Sequence, residues 1–188
     1  MGKNKAVILD RDGTINVDAG YVGRKEDFVY LDGAIDGLKA LTEANYCLIV
    51  VTNQSGIARG YYTEAQFKAL NEWMIEDLRT KGITITATYY CPHHPEATVE
   101  AYRIDCDCRK PKLGMFEKAI AENDININDL YVIGDKNRDV ALCDKYESVH
   151  GIVLYSGLTE QRGNIEYISG GLREASKRVL GNNYGKLD

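Results

Sequence analysis

The chain of 188 residues is 44% hydrophobic and 27% charged, a composition typical of a globular protein and not of a disordered, fibrous or membrane-embedded one. This length favours a single domain, which we expect to span residues 1–188 around a full hydrophobic core. The formal net charge of −5, with no basic stripe, argues against nucleic acid and anionic lipid as partners.

Short apolar runs rich in β-forming residues alternate with helical patterns along the chain. The predicted strands are KAVILD, CLIVVTN, TATYY, LYVIGD and GIVLY, with IEYIS as a short sixth. The helical patterns are IDGLKALTEAN, TEAQFKALNEWMIEDLRTKG, KLGMFEKAIAEND, NRDVALCDKYE and LREASKRVL. This alternation predicts parallel βαβ units, and therefore an α/β, Rossmann-like three-layer sandwich with a mostly parallel sheet. We expect the tail 182–188 to be frayed.

The second helical pattern has well-marked ends. Thr63 and Gln66 match a capping box, and Gly82 is typical of a helix C-terminus. An apolar stripe between them is predicted to face the core and consists of Phe67, Leu70, Met74 and Leu78.

The sequence also bears on where the protein works. No apolar run approaches the roughly 20 residues that cross a bilayer, and the start MGKNKAVILD lacks the features of a secretory signal. Five cysteines are an odd number, which argues against a disulfide framework. We expect a cytoplasmic protein without membrane contacts, and a monomer because no association helix is evident.

Polar stretches follow four of the predicted strands: DRDGT, TNQSG, CPHH and GDKNRD. In an open parallel sheet, ligands bind beyond the carboxyl ends of the strands. We therefore expect these four stretches to converge at one edge of the sheet, although four unrelated surface loops are the plainer alternative.

The first stretch carries two aspartates. Asp10 and Asp12 can both face the crevice if the chain turns at Gly13, and Asp135 can join them from the fourth stretch. Carboxylate oxygens are the ligands that Mg²⁺ prefers. Taken alone, the DxDG pattern also fits a solvated turn.

The neighbouring stretches supply groups that bind phosphate. Thr52, Asn53 and Ser55 offer hydroxyl, amide and backbone donors, while Arg109 and Lys110 offer positive charge. Phosphoryl transfer needs such donors and cations beside a metal-binding carboxylate set, because positioning and charge neutralisation lower its barrier.

Residues 91–108 hold a second cluster. Cys91, His93, Cys106 and Cys108 form the pairs CxH and CxC, and thiolate with imidazole favours tetrahedral Zn²⁺. Four protein ligands leave no place for a catalytic water, so the sequence predicts a structural zinc that staples this loop. Because the second pair precedes Arg109 and Lys110 directly, the zinc would also fix these two cations.

DRDGT, VVTN, RKPK and GDKNRD, in this order, resemble the four motifs of the haloacid dehalogenase superfamily of aspartate-nucleophile phosphatases. The resemblance implies that Asp10 attacks phosphorus and that Asp12 acts as general acid, then as general base. It also implies that Thr52 and Lys110 steady the phosphoryl oxygens. Mg²⁺ would be held by Asp10, Asp135 and the backbone carbonyl of Asp12. We leave Asp139 open, either as a group that reaches the cation through water or as a helix-start residue.

Zinc-containing members of this superfamily include the heptose bisphosphate phosphatases and the histidinol-phosphate phosphatases. TNQSGIARGYYTEAQF, ATYYCPHHPEATVEAYRIDCDCRKP and GMFEKA resemble the first group, whose pattern places the zinc ligand at His93 and not at His94. The resemblance implies removal of the C7 phosphate of a heptose 1,7-bisphosphate, giving a heptose 1-phosphate for nucleotide-heptose and lipopolysaccharide synthesis. The anomer stays open. Implied catalytic and substrate-binding residues are Asp10, Asp12, Asp18, Ala19, Gly20, Tyr21, Thr52, Asn53, Gln54, Ser55, Arg109, Lys110 and Lys136.

No insertion is long enough for a cap domain, so we expect a shallow site. The segment YSGLTEQRGNIEY departs from the heptose pattern. Three alternatives remain: a histidinol-phosphate phosphatase, a nucleic-acid end phosphatase and an inactive zinc-stapled interaction module.

Overall fold

The computed structural model describes residues 2–154, 157 and 162–181. The tail 182–188, for which fraying is predicted, lies outside the described residues, as does most of the first half of YSGLTEQRGNIEY.

Within these ranges, six strands form one sheet in the order β3-β2-β1-β4-β5-β6. All five neighbouring pairs are parallel, which confirms the predicted α/β fold. The strands are β1 Asn4–Leu9, β2 Cys47–Asn53, β3 Ile85–Cys91, β4 Ile125–Gly134, β5 His150–Leu154 and β6 Glu166–Ile168.

The described residues include five α-helices: α1 Ala34–Glu43, α2 Ser55–Ala58, α3 Glu64–Thr80, α4 Gly114–Glu122 and α5 Gly171–Leu180. In the same part of the chain, three segments are 3-10 helices: Lys25–Asp27, Glu100–Tyr102 and Asn137–Asp144. None of the helices in the described parts of the chain is long and apolar enough to cross a membrane.

The pattern NRDVALCDKYE forms the 3-10 helix Asn137–Asp144 and not a regular α-helix. Its path kinks at Val140, where φ is −107° and ψ is 17°. We attribute this kink to Asp139, because its side chain is buried and accepts a hydrogen bond from the backbone N–H of Lys136. This close return needs Gly134, where a Cβ would lie 2.2 Å from the Cβ of Asp139.

The described residues form two large core clusters, one on each face of the sheet, and a small third one of Ile57, Tyr62 and Phe67. Along β1, Val7 and Leu9 pack on the side of α1, α3 and α5, while Ala6 and Ile8 pack on the side of α4 and the Asn137–Asp144 helix. A central parallel strand is covered on both faces and is therefore apolar throughout. The result is the three-layer sandwich that the sequence predicts.

Helix α3 begins as its sequence indicates. The side-chain oxygen of Thr63 accepts a hydrogen bond from the backbone N–H of Gln66 at 3.1 Å, and Oε1 of Gln66 accepts one from the backbone N–H of Thr63 at 2.8 Å. The four residues of the apolar stripe are all buried. At the other end, Gly82 has φ +78°, a conformation that glycine adopts at little cost.

The strand order changes direction at β1: β2 and β3 follow on one side of β1, and β4, β5 and β6 lie on the other. A crevice therefore opens beyond the carboxyl end of β1. Among the described residues, the connections between elements form loops and single turns of helix but no separate domain, so nothing caps this crevice.

Candidate active site

The DRDGT stretch turns sharply as it leaves β1. Gly13 has φ +83°, and a Cβ there would lie 2.6 Å from Oδ2 of Asp135. Only glycine allows both the left-handed backbone and this approach. The turn thus brings Asp10 and Asp12 beside the end of β4, as the sequence predicts.

Three carboxylates meet at this point. Oxygens of Asp10, Asp135 and Asp139 lie within 4.8 Å of one another, and such a set of hard oxygen donors fits Mg²⁺. Asp139 is already engaged through both oxygens: Oδ1 forms an ion pair with Lys110 Nζ at 2.8 Å, and Oδ2 accepts from the backbone of Lys136 at 3.0 Å. The geometry therefore favours Asp10 and Asp135 as direct ligands and Asp139 as a residue that holds Lys110.

Lys110 is buried and its ammonium group has three partners. It donates to Asp10 Oδ1 at 2.9 Å and to the carbonyl oxygen of Val51 at 2.7 Å, besides the ion pair with Asp139. Its position is fixed from β1, β2 and the helix after β4 at once. The cation therefore stands beside the predicted nucleophile before any phosphate arrives.

Burial dominates the electrostatics of Asp10. Removal from water raises the pKa of Asp10 to about 6, with further upward contributions from Asp139 and Asp12 and an opposing one from Lys110. A bound cation would favour the charged form, because opposite charge lowers the pKa of a carboxyl group.

Asn53 and Gln54, which the resemblance assigns to the substrate, use their side chains on the protein itself. Asn53 exchanges two hydrogen bonds with the backbone of Lys110, both 3.0 Å long. The amide nitrogen of Gln54 donates to Asp12 at 2.9 Å and to Thr52 at 2.8 Å. Both residues line the cavity, but their polar groups serve to fix its catalytic groups.

The cavity above Asp10 has a volume of about 370 Å³. Asp12, Thr52 and Ser55 line it together with four cationic side chains. Two of these cations, Arg109 and Lys136, are predicted from the sequence, whereas Arg59 and Arg138 are not.

The signals for the missed cations were weak. Arg138 lies inside the quoted motif GDKNRD, whereas Arg59 follows the four-residue helix α2 and carries no motif of its own. The four cations outnumber the three aspartates of the same lining, and such cations suit a ligand that carries phosphate.

The loop after β1 forms one wall. The backbone N–H of Gly20 donates to Asp18 at 3.2 Å, and Lys136 reaches Asp18 at 3.5 Å. Tyr21 adopts φ +59° and places its ring 4.6 Å from the ring of Tyr61. Asp18, Gly20 and Tyr21 line the cavity, whereas the neighbouring Ala19 is exposed and is not part of the lining.

The four predicted zinc ligands come together. Cys106 Sγ lies 3.4 Å from Cys91 Sγ and 3.0 Å from Cys108 Sγ, and His93 Nδ1 lies 3.4 Å from Cys108 Sγ. A tetrahedral Zn²⁺ with Zn–S bonds of about 2.3 Å separates its sulfur ligands by about 3.8 Å, somewhat more than these distances. Burial raises the pKa of the Cys91 thiol, so metal binding would release a proton there.

His94 takes no part in this cluster. Its Nδ1 accepts a hydrogen bond from the backbone of Glu96 at 3.0 Å, and its ring lines the active-site cavity near Arg59. The zinc loop nevertheless reaches the cavity, because Arg109 donates to the carbonyl oxygen of His93 at 3.2 Å.

Comparison with known proteins gives three kinds of match. A model of the family "Polynucleotide kinase 3 phosphatase" matches residues 5–149. A relative from Pasteurella multocida, named D-glycero-beta-D-manno-heptose-1,7-bisphosphate 7-phosphatase, is 49% identical over 150 residues, which are 80% of each chain.

Two solved structures are similar in fold. The D,D-heptose 1,7-bisphosphate phosphatase from B. bronchiseptica, complexed with magnesium and phosphate, has a TM-score of 0.81 at 26% identity, with 94% of this chain and 98% of that chain covered. A putative HAD-like phosphatase from Mesorhizobium loti has a TM-score of 0.81 at 28% identity, with 97% and 90% covered. The chain therefore belongs to the heptose-1,7-bisphosphate 7-phosphatase family of the haloacid dehalogenase superfamily.

Proposed function

We propose that this protein is a Mg²⁺-dependent phosphatase that removes the C7 phosphate of D-glycero-β-D-manno-heptose 1,7-bisphosphate. The observation that carries the proposal is the identity of 49% over 80% of both chains with the relative of that name. The choice of the β anomer, which the sequence alone leaves open, rests on the same name. The product, heptose 1-phosphate, is the starting point for nucleotide-heptose and lipopolysaccharide synthesis.

The geometry supports a covalent mechanism at Asp10. A carboxylate oxygen of Asp10 attacks the C7 phosphorus, and the bond between phosphorus and the sugar oxygen breaks. Asp12 gives a proton to the departing oxygen, so the sugar leaves as an alcohol. Asp12 then takes a proton from the water that attacks the aspartyl-phosphate, which releases phosphate and restores both carboxyl groups. Thr52 steadies the phosphoryl oxygens, and the ammonium of Lys110 beside Asp10 offsets their negative charge through both steps.

Asp10, Asp135 and the backbone carbonyl of Asp12 would hold the Mg²⁺. When bound, the cation supplies positive charge that offsets the charge of the phosphoryl group. Support comes from the cluster of carboxylates described above and from the similar B. bronchiseptica enzyme, which contains magnesium and phosphate.

Zn²⁺ in the cluster of Cys91, His93, Cys106 and Cys108 would have a structural role. All four positions are filled by protein, so the metal has no place for a reacting water. Through the bond between Arg109 and the His93 carbonyl, a fixed zinc loop keeps a cation directed at the cavity.

We also propose that residues 1–188 form one domain, that the protein is a monomer and that it works in the cytoplasm. All five cysteines are thiols, as a reducing compartment would keep them. Binding of nucleic acid is disfavoured by the net charge of −5, although the matching family model is named after a polynucleotide phosphatase.

Phosphate release with Mg²⁺ on a panel of substrates tests the proposal. The panel contains both anomers of heptose 1,7-bisphosphate, histidinol phosphate and DNA with a 3′-phosphate. We expect the highest kcat/KM for the β anomer. A preference for histidinol phosphate or for DNA would refute the proposed substrate but leave the mechanism standing. If no compound of the panel releases phosphate, an inactive zinc-stapled module is favoured.

A further inference from the structure

Asp12, the proposed general acid and base, is held by three side chains. Its Oδ1 accepts from Arg11 at 2.9 Å and from Asn16 at 3.0 Å. Its Oδ2 accepts from Gln54 at 2.9 Å and from Arg11 at 3.2 Å. Arg11 and Asn16 lie in the same turn as Asp12, but Gln54 comes from the end of β2 and is the only one of the three that also contacts Thr52.

Gln54 is itself held in one orientation. It is 1% exposed, and its Oε1 accepts a hydrogen bond of 2.6 Å from the hydroxyl of Tyr62. Burial raises the pKa of Tyr62, so the hydroxyl keeps its proton and acts as a donor. With Oε1 on Tyr62, the amide nitrogen of Gln54 must face Asp12, whereas the flipped amide would direct an oxygen at the carboxylate.

The ring of Tyr62 packs closely against two glycines. A Cβ at Gly23 would lie 2.2 Å from the ring, and a Cβ at Gly56 would lie 2.4 Å from it. These glycines belong to two different segments, the loop after β1 and the start of α2. The ring is therefore clamped between them, and its hydroxyl is placed relative to both segments.

We propose that Tyr62 and Gln54 are positioning residues that direct the carboxyl group of Asp12 at the leaving oxygen of the substrate. The inference rests on the proposed aspartyl-phosphate mechanism. A general acid must lie within about 2.6–3.2 Å of the oxygen that it protonates. Bonds within its own turn fix the carboxyl group of Asp12 relative to that turn only, whereas Gln54 also fixes it relative to the end of β2. Because Gln54 bonds both Asp12 and Thr52, the acid and the phosphate-binding hydroxyl are fixed relative to each other.

Two phosphate esters that differ only in their leaving group test this role. An alkyl phosphate needs a proton to leave, whereas 2,4-dinitrophenyl phosphate does not. The value of kcat/KM reports on steps up to departure of the leaving group, so it excludes the later hydrolysis of the aspartyl-phosphate. The variants are Gln54→Met, which keeps the side-chain length, and Tyr62→Phe, which keeps the clamped ring.

We expect Gln54→Met to lower kcat/KM for the alkyl ester by about 100-fold, the lower end of what general acid catalysis contributes, and for the dinitrophenyl ester by less than about 5-fold. Tyr62→Phe should show the same selectivity with a smaller loss, of about 10-fold for the alkyl ester. Tyr30→Phe is the matched control, because it removes a hydroxyl that donates to Asp77 at 2.7 Å outside the cavity.

Equal losses for both esters, or no loss for either, would overturn the positioning role. Circular dichroism and bound zinc confirm that each variant is folded. Because neither ester is a sugar, a wild-type enzyme that hydrolyses both esters but not heptose bisphosphate would refute the proposed substrate and leave this test intact.

Discussion

Asn53 bonds both backbone polar groups of Lys110, its N–H and its carbonyl oxygen. The Nδ2 of Asn53 donates to the carbonyl oxygen of Lys110, and its Oδ1 accepts from the N–H of the same residue, each at 3.0 Å. The two residues are far apart in sequence, on the end of β2 and just after the zinc loop. This exchange joins the loop to the sheet at the residue that meets Asp10.

We predict that Asn53→Ala lowers kcat by about 10- to 100-fold. The substitution leaves two backbone groups of Lys110 without partners, at a cost of about 1–3 kcal/mol each if they stay dry, so the Lys110 ammonium shifts from Asp10. Steady-state kinetics on a simple phosphate ester would measure the loss. Asn53→Asp keeps only the acceptor and should fall between wild type and Ala; unchanged kcat in both variants would refute a role in holding Lys110.

The nucleophile gives a second prediction. Asp10→Asn should abolish turnover, because an amide does not attack phosphorus in place of a carboxylate. Circular dichroism should remain that of the wild type, since Lys110 keeps Asp139 and the Val51 carbonyl as partners. Activity close to wild type in this variant would remove Asp10 as the nucleophile.

The pH dependence of stability follows from the same carboxyl group. Its pKa is about 6 in the folded protein against an ordinary value of 3.8, so between these values the folded state binds more protons than the unfolded state. The free energy of unfolding in Mg²⁺-free buffer should therefore fall as pH rises from about 4 to about 6. The contribution of Asp10 is on the order of 2 kcal/mol.

Urea unfolding at pH 4.5 and pH 6.5 measures this effect when wild type is compared with Asp10→Asn. The variant has no titrating group at position 10, so its free energy of unfolding should lack this dependence on pH. Relative to wild type, the variant should therefore be more stable at pH 6.5 than at pH 4.5. If the difference in free energy of unfolding between wild type and variant is the same at pH 4.5 and pH 6.5, the raised pKa of Asp10 is contradicted.

Two adjacent histidines provide a matched pair for the zinc site. His93 lies in the cysteine cluster, while His94 lines the active-site cavity. His93→Ala should lose bound zinc and melt at a lower temperature, because three thiolates hold the metal less tightly than the full set of four ligands. His94→Ala should keep its zinc.

Metal analysis of freshly purified protein distinguishes the two variants. Cys106→Ser should behave as His93→Ala does, and Cys47→Ala, outside the cluster, should keep its zinc. Zinc loss from His94→Ala together with retention in His93→Ala would reassign the ligand.

Glu64, the first residue of α3, ties that helix to the zinc loop. It accepts hydrogen bonds from Tyr90 at 2.5 Å and from Tyr102 at 2.9 Å, and bonds from Tyr90, Lys68 and Tyr102 lower its pKa to about 2. A carboxyl group with a lowered pKa stabilises the fold above its unfolded pKa and loses that effect as pH falls.

We predict that Glu64→Gln costs about 1 kcal/mol at pH 7, a discounted value because the Glu64 side chain is 31% exposed. The difference from wild type should disappear between about pH 4.5 and pH 2. Unfolding titrations at pH 7 and pH 3 measure it, and Glu76→Gln, on the exposed side of α3, is the control. A constant difference at both pH values would contradict the assigned cause.

The sequence predicts the meeting of Asp10 and Asp135 because the carboxyl ends of parallel strands share one edge, a property of the sheet and not of the side chains. The zinc ligands were predictable for a similar reason, since short CxH and CxC pairs constrain their own geometry. The tasks of Asn53 and Gln54 were not predictable, because they depend on which polar atoms from distant segments meet in a buried space.

Tyr62 was missed on the same grounds. The sequence YYT carries no motif, and the importance of Tyr62 arises only when Gly23 and Gly56 close on its ring. The 3-10 conformation of Asn137–Asp144 was not predictable either. Its apolar pattern suits an α-helix, and the deviation depends on the ion pair between Asp139 and the distant Lys110.

In the proposed function, Asp10 removes one particular phosphate from a sugar that carries two. Phosphorus NMR of the reaction with D-glycero-β-D-manno-heptose 1,7-bisphosphate and Mg²⁺ observes both phosphates separately. We predict that the C7 resonance disappears with the appearance of inorganic phosphate, while the C1 resonance persists. Loss of the C1 phosphate, or an unchanged spectrum from fully folded and zinc-loaded protein, would contradict the proposed function.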